Sequence, residues 1–127
     1  MNSSVLIVDR DPTAMEQLCS LIKASDFRVQ TATDLESTQQ RLSTSRFPIV
    51  IVDWQLPDEG ARQVVSLIRG NHRLRRTHIV ALSEPASPEF VEAVLKTGVD
   101  DFISRPISAS EVRNRLLWAM SQYQKIV

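Results

Sequence analysis

A single cysteine, Cys19, in 127 residues rules out an internal disulfide and fits a reducing, cytosolic compartment. There are only three glycines, Gly60, Gly70 and Gly98, so a flavin- or nucleotide-binding reading finds no support in a phosphate-cradling loop. Neither charge sign is in excess: 15 basic side chains balance 15 acidic ones. No net field therefore draws the domain to nucleic acid or to an anionic membrane, and partners must be found by local chemistry. Long apolar runs are missing as well, and the opening "MNSSVLIVDRD" lacks the basic flank and apolar core of a signal peptide. No repeat, low-complexity tract or linker divides the chain, which reads as one domain over residues 1–127. At that size folding buries roughly two thirds of the unfolded surface. Its last helix is expected either to end a stand-alone module or to lead onward to an output domain.

What is present alternates. The runs "VLIV" (5–8), "PIVIV" (48–52) and "HIVAL" (78–82) are β-branched and apolar on both faces, as interior strands covered by helices must be. "RVQTA" (28–32) and "DFIS" (101–104) mix polar with apolar residues and suit the sheet edges. Between them, Asp11 and Pro12 form an N-cap with proline at the first helical position, ahead of the stripe Met15, Leu18, Cys19 and Ile22. Thr33 with Glu36, and Ser108 with Glu111, fit capping boxes; Ser87 and Pro88 open a helix carrying Val91, Val94 and Leu95. Residues 59–69 form the least periodic helix, with Val64, Leu67 and Ile68, and Gly70 and Gly98 are natural stops. The last helix shows Val112, Leu116, Ala119 and Tyr123 on one face and is expected to reach about residue 123.

Five strands alternating with five helices imply an α/β, doubly wound parallel sheet. Of the common orders, the flavodoxin-like 2-1-3-4-5 places the apolar runs inside and the mixed ones at the edges. Ligands in such sheets bind outside the carboxyl ends of the strands, and those ends carry Asp9, Asp53, Ser83 and Arg105. In that order Asp9 and Asp53 end neighbouring strands, where two carboxylates repel unless a cation or a proton intervenes.

At these positions the chain resembles the receiver domains of two-component response regulators, along nearly its whole length. "VLIVDRDP" resembles the acidic cluster after the first strand, and "IVIVDWQLPDEG" the phospho-accepting aspartate with its downstream Leu-Pro and Gly. "IVALS" resembles the hydroxyl position, and "GVDDFISRPIS" the aromatic, basic residue and proline around the fifth strand. The resemblance implies that Asp53 accepts a phosphoryl group from a histidine kinase or phosphotransfer protein. Asp9, Asp53 and, less centrally, Asp11 would bind Mg²⁺, with Ser83 and Arg105 contacting the phosphate and Phe102 moving with Ser83. It also implies a cis peptide before Pro106, action on an output domain or target protein, and no turnover beyond self-catalysed phosphorylation. A homodimer through helix 4, strand 5 and helix 5 is conceivable, with Asp100, Asp101, Arg113 and Arg115 pairing across a two-fold axis.

Three departures stand out. Arg10 replaces an acidic metal ligand of the family pattern, Arg105 replaces its lysine, and the loop from Asp53 to Gly60 is one residue short. Asp9 and Asp53 are then offset by Arg10 and Arg105 before any metal arrives. Arg10 is expected near Asp53, partly substituting for the metal, with weakened Mg²⁺-dependent phosphorylation or signalling by binding alone. Asp11 has its stronger claim as the helix cap. "DRDPT" also resembles the first motif of haloacid dehalogenase phosphatases, with Asp9 as nucleophile and Asp11 as acid/base and with Ser83, Asp100 and Asp101 mimicking later motifs. Position argues against this, because Asp100 and Asp101 precede strand five and fall at the amino end of the sheet. His72 and His78 have no metal-ligand company. The basic run "HRLRR" (72–76) reads as a solvated connection that a partner could use.

Overall fold

The computed structural model describes residues 2–125. Strands β1 (Ser4–Val8), β2 (Arg28–Ala32), β3 (Ile49–Asp53), β4 (His78–Ser83) and β5 (Asp101–Ser104) alternate with helices α1 (Pro12–Lys23), α2 (Leu35–Thr44), α3 (Gly60–Arg69), α4 (Pro88–Leu95) and α5 (Ala109–Lys125). All strand pairs are parallel and the order is β2-β1-β3-β4-β5, as the distribution of apolar runs implies. Every β4 residue is buried, whereas β2 is buried only at Ala32, which is the contrast between an interior strand and an edge.

Alternation along each strand divides the core in two. Val5, Ile7, Ile49, Ile51, Val80 and Leu82 pack on Met15, Leu18 and Ile22 of α1 and on Val112, Leu116 and Ala119 of α5. Leu6, Val8, Val50, Val52, Ile79 and Ala81 pack on the other side against Leu42, Val64, Ile68 and Val94 from α2, α3 and α4. Helices therefore cover both faces, and polar groups gather at the two ends of the sheet.

Local chemistry sets the helix starts. Asp11 caps α1 by accepting from Thr13 N at 3.0 Å, Ser87 Oγ accepts from Phe90 N at 3.1 Å, and Ser108 Oγ accepts from Glu111 N at 3.1 Å. The box expected from Thr33 and Glu36 is instead made one residue later: Asp34 accepts from Ser37 N at 2.8 Å, and Ser37 Oγ accepts from Asp34 N at 3.2 Å. Asp is the better N-cap acceptor of the two candidates. On α4 only Val94 of the expected stripe is buried; Leu95 is exposed, because this short helix touches the sheet along a narrow line. The last helix continues past Tyr123 to Lys125.

The loop after β3 is tightly turned. A single 3₁₀ turn, Pro57–Glu59, carries two consecutive left-handed residues that are not glycine, Asp58 at φ 57° and Glu59 at φ 56°. Glu59 is also the residue preceding α3, and its side chain makes no capping bond. Left-handed geometry costs an ordinary L-residue about 1–2 kcal/mol, partly offset by the greater chain entropy glycine loses on folding. Glu59→Gly should therefore stabilise the fold by about 0.5–1 kcal/mol, and Glu59→Val should destabilise it. Urea unfolding of both variants checks this; equal midpoints for the two would refute it.

Candidate functional site

Asp9 follows β1 and Asp53 ends β3. Register pairs Val8 with Val52, so the two aspartates stand side by side at the carboxyl end, where the strand order reverses. Each is held by a turn of its own. Asp9 Oδ1 accepts from Asp11 N at 2.9 Å, and Asp53 Oδ1 accepts from Gln55 N at 3.1 Å. Asp9 is buried, with 1% exposure. That burial, reinforced by the neighbouring Asp53 charge and hydrogen bond, raises its carboxyl pKa; the Asp11 amide and Arg105 oppose the shift.

One guanidinium spans the mouth, and it belongs to Arg105. Its Nη2 lies 3.4 Å from Asp9 Oδ2, and its Nη1 lies 3.7 Å from Asp53 Oδ1 and 3.5 Å from Glu84 Oε2. Arg105 is placed there by a main-chain bond from its N to Ser83 O at 2.8 Å, and the following peptide to Pro106 is cis. Arg10, expected in this role, is exposed and forms no ion pair or hydrogen bond among the described residues. One step beyond Asp9 the chain has left the strand and bends toward α1, and the Arg10 side chain goes to water while that of Asp9 is buried. The charge count changes accordingly. Three carboxylates, Asp9, Asp53 and Glu84, face one guanidinium, so the mouth stays negative rather than neutral.

Ser83 is buried at the end of β4, where its Oγ accepts from Gln55 Nε2 at 2.9 Å and donates to Glu84 O at 3.0 Å. Phe102, on β5, is half-buried and meets Phe90 of α4 edge-on at 6.4 Å. Asp11 spends its carboxylate on the α1 cap, and no third metal-ligating side chain converges with Asp9 and Asp53 among the described residues. Two carboxylates meet the minimum oxygen set for Mg²⁺, which keeps several of its waters. Trp54, which follows Asp53, lies under the Arg62 guanidinium at 5.9 Å. Gln55 and Glu84 were not singled out from the sequence. Each lies within two residues of a strand end, but polar loop residues are too common for that position alone to identify them.

Asp100 and Asp101 are at the amino end of β5, away from this mouth. Asp100 pairs with Arg69 at 2.6 Å and Asp101 with Arg115 at 2.7 Å. The charges expected to cross a dimer axis are thus engaged within the chain, and only Arg113 of that set is left. The same pairings remove Asp100 and Asp101 from any phosphatase constellation with Asp9.

This arrangement is that of a regulatory receiver module. The chain belongs to the response regulator receiver domain family, whose model matches residues 5–117. It is 25% identical over 116 residues to the phosphate regulon transcriptional regulatory protein PhoB of Escherichia coli (strain K12), covering 91% of this chain and 51% of that protein. It is 30% identical over 115 residues to hybrid signal transduction histidine kinase A of Dictyostelium discoideum, covering 87% of this chain and 5% of that one. The chain therefore spans about half the length of PhoB. In fold it is similar to the chemotaxis response regulator CheY4 of Vibrio cholerae, with a TM-score of 0.85, 20% identity and coverage of 94% and 99% of the two chains. The signal receiver domain of a Syntrophus aciditrophicus signal transduction histidine kinase gives 0.83, 23%, 94% and 90%. Among the described residues no helix is long and apolar enough to cross a membrane.

Proposed function

We propose that this domain receives a phosphoryl group on Asp53 from a histidine kinase or phosphotransfer protein and passes the change to an output domain or target protein. In that transfer the donor's phosphorus–nitrogen bond breaks as a bond forms to an Asp53 carboxylate oxygen. The observation that carries the reading is the shared mouth in which Arg105 reaches toward both Asp9 and Asp53. Arg105 is placed to draw a phosphoryl oxygen through its planar fork. Ser83 ends the strand beside Asp53 and would turn toward the same oxygens once Gln55 releases it, and Phe102 lies on the neighbouring strand to follow that movement. Asp9 and Asp53 would hold Mg²⁺, whose contribution is charge stabilisation of the approaching anions. With Arg10 where a third acid would help, that binding is weak. The lone thiol Cys19 fits a cytoplasmic setting.

A second reading, signalling by binding alone, is favoured by Arg10 and by the Arg105 guanidinium already lying across the mouth. Intact-mass measurement after incubation with a small acyl phosphate donor and Mg²⁺ separates the two. The phosphorylation reading expects a gain of one phosphoryl group in the wild type and none in Asp53→Asn. Gain in Arg10→Asp but not in the wild type supports binding alone. Gain in Asp53→Asn equal to wild type overturns the assignment of the acceptor.

A further inference from the structure

The carboxylate mouth makes no use of the basic run 72–76, which lies at the opposite end of the sheet. His78 opens β4 and Ser83 closes it, so the two ends are separated by about 17 Å of strand. There the α3–β4 loop, the start of β4 and the last turns of α5 border an open hollow of about 540 Å³ lined by Arg69 with its partner Asp100, and by Arg75, Arg76, Trp118 and Tyr123. A second hollow of about 270 Å³ shares Arg75, Arg76 and Tyr123 and adds Arg46 and Arg73. The first falls within the range of roughly 300–1,000 Å³ typical of small-ligand pockets.

Two independent features of this place agree. Arg69 is neutralised by Asp100, but Arg46, Arg73, Arg75 and Arg76 have no ion-pair partner among the described residues, a local excess of positive charge on a chain with no net charge. The wall is aromatic: Trp118 is 47% exposed, and the Arg76 guanidinium already lies 5.7 Å over the Tyr123 ring. Behind the wall, His78 is only 5% exposed and packs edge-on against Trp118 at 5.1 Å, which supports that indole.

We propose that this hollow binds a nucleotide, with its phosphates on Arg75 and on Arg76, which the Tyr123 ring backs, and its base against Trp118. Guanidinium groups pair with phosphate in a fork, and aromatic faces accept any base by stacking. A poly-acidic peptide would satisfy the charge alone and leave the exposed Trp118 unused. Side chains, rather than the backbone amides of a glycine-rich loop, hold the anion, so the scarcity of glycine is no obstacle. The site gives the domain a second input that does not depend on phosphorylation of Asp53.

Calorimetric titration of the intact chain with ATP and GTP in EDTA tests this, with inorganic pyrophosphate and a poly-glutamate peptide as comparison probes. Micromolar binding of nucleotide is expected, weakened about tenfold or more in the Arg75→Glu, Arg76→Glu double variant. Quenching of tryptophan emission should be seen in the wild type and lost in Trp118→Phe, which retains Trp54. Asp53→Asn should bind nucleotide as the wild type does, which separates this site from the carboxylate mouth. Both arginines are exposed, and the circular dichroism spectrum of the double variant, together with a milder Arg75→Gln variant, controls for folding. The proposal is overturned by absence of binding at millimolar nucleotide, by pyrophosphate or the peptide binding as tightly as ATP, or by affinity insensitive to the arginine changes.

Discussion

Arg10→Asp is expected to tighten Mg²⁺ binding at the Asp9–Asp53 mouth about ten- to a hundred-fold. The substitution reverses a unit charge close to the place where a divalent ion would meet the two carboxylates, and it supplies a further oxygen ligand of the kind Mg²⁺ prefers. Arg10 is exposed, so its repulsion acts through a water-rich path and is screened by salt, which sets the upper end of the range. Arg105 should behave differently, because its side chain is only 25% exposed and lies across the mouth. Its replacement by methionine removes a partner from the buried Asp9 as well as a charge. Trp54, next to Asp53, is a fluorescence reporter for the titration. An Arg10→Asp affinity within about twofold of the wild type, a free-energy difference of only ~0.4 kcal/mol, would show that Arg10 has no bearing on the metal.

Replacing Arg69 with methionine should cost the fold about 2–4 kcal/mol. This arginine, at the end of α3, ties the loop that leads into β4 to the turn that leads into β5, 29 to 31 residues further on from Arg69. Its Nε donates to Gly98 O at 2.9 Å, its Nη1 to Arg75 O and Thr77 O at 2.7 Å each, and its Nη2 to Asp100 Oδ2 at 2.6 Å. Asp100 Oδ2 in turn accepts from Ile79 N at 2.8 Å, so the pair anchors the start of β4. Gly98 adopts φ 114°, open to glycine but strained for other residues, which presents its carbonyl to the guanidinium. Lysine should recover less than half of the loss, since a single ammonium cannot donate along all the directions of a planar fork. Urea unfolding measures this. A methionine variant within 1 kcal/mol of the wild type would mean that these bonds are replaced by water at no cost.

The Arg10 prediction and much of the architecture could be framed from the chain of letters alone, whereas the Arg69 prediction could not. The strands to within one residue at each end, the inside-to-edge ranking of the five and the order β2-β1-β3-β4-β5 follow from where β-branched runs and mixed runs fall. The caps at Asp11, Ser87 and Ser108 were legible because a cap and its amide are two or three residues apart. The shift from Thr33 to Asp34 was not, because both neighbours satisfied the same short pattern and only the backbone path chose between them. Asp9, Asp53, Ser83 and Arg105 were legible as a group because strand ends define the ligand side of such a sheet. Which arginine faces the carboxylates was not: Arg10 adjoins Asp9 in sequence, whereas Arg105 reaches Asp9 from 96 residues away.

The amino-acid sequence by itself determined the elements, their layering and the residues delivered to the carboxyl end, because periodicity, propensity and capping act over a few residues. Only the tertiary structure decided that Arg105 and not Arg10 lies across the mouth, that Gln55 holds Ser83, that Arg69 engages Asp100, and that the basic run shares a hollow with Trp118 and Tyr123. Those are meetings between distant segments. Side-chain direction at the end of a strand depends on the course of the backbone beyond it, and no local pattern carries that information.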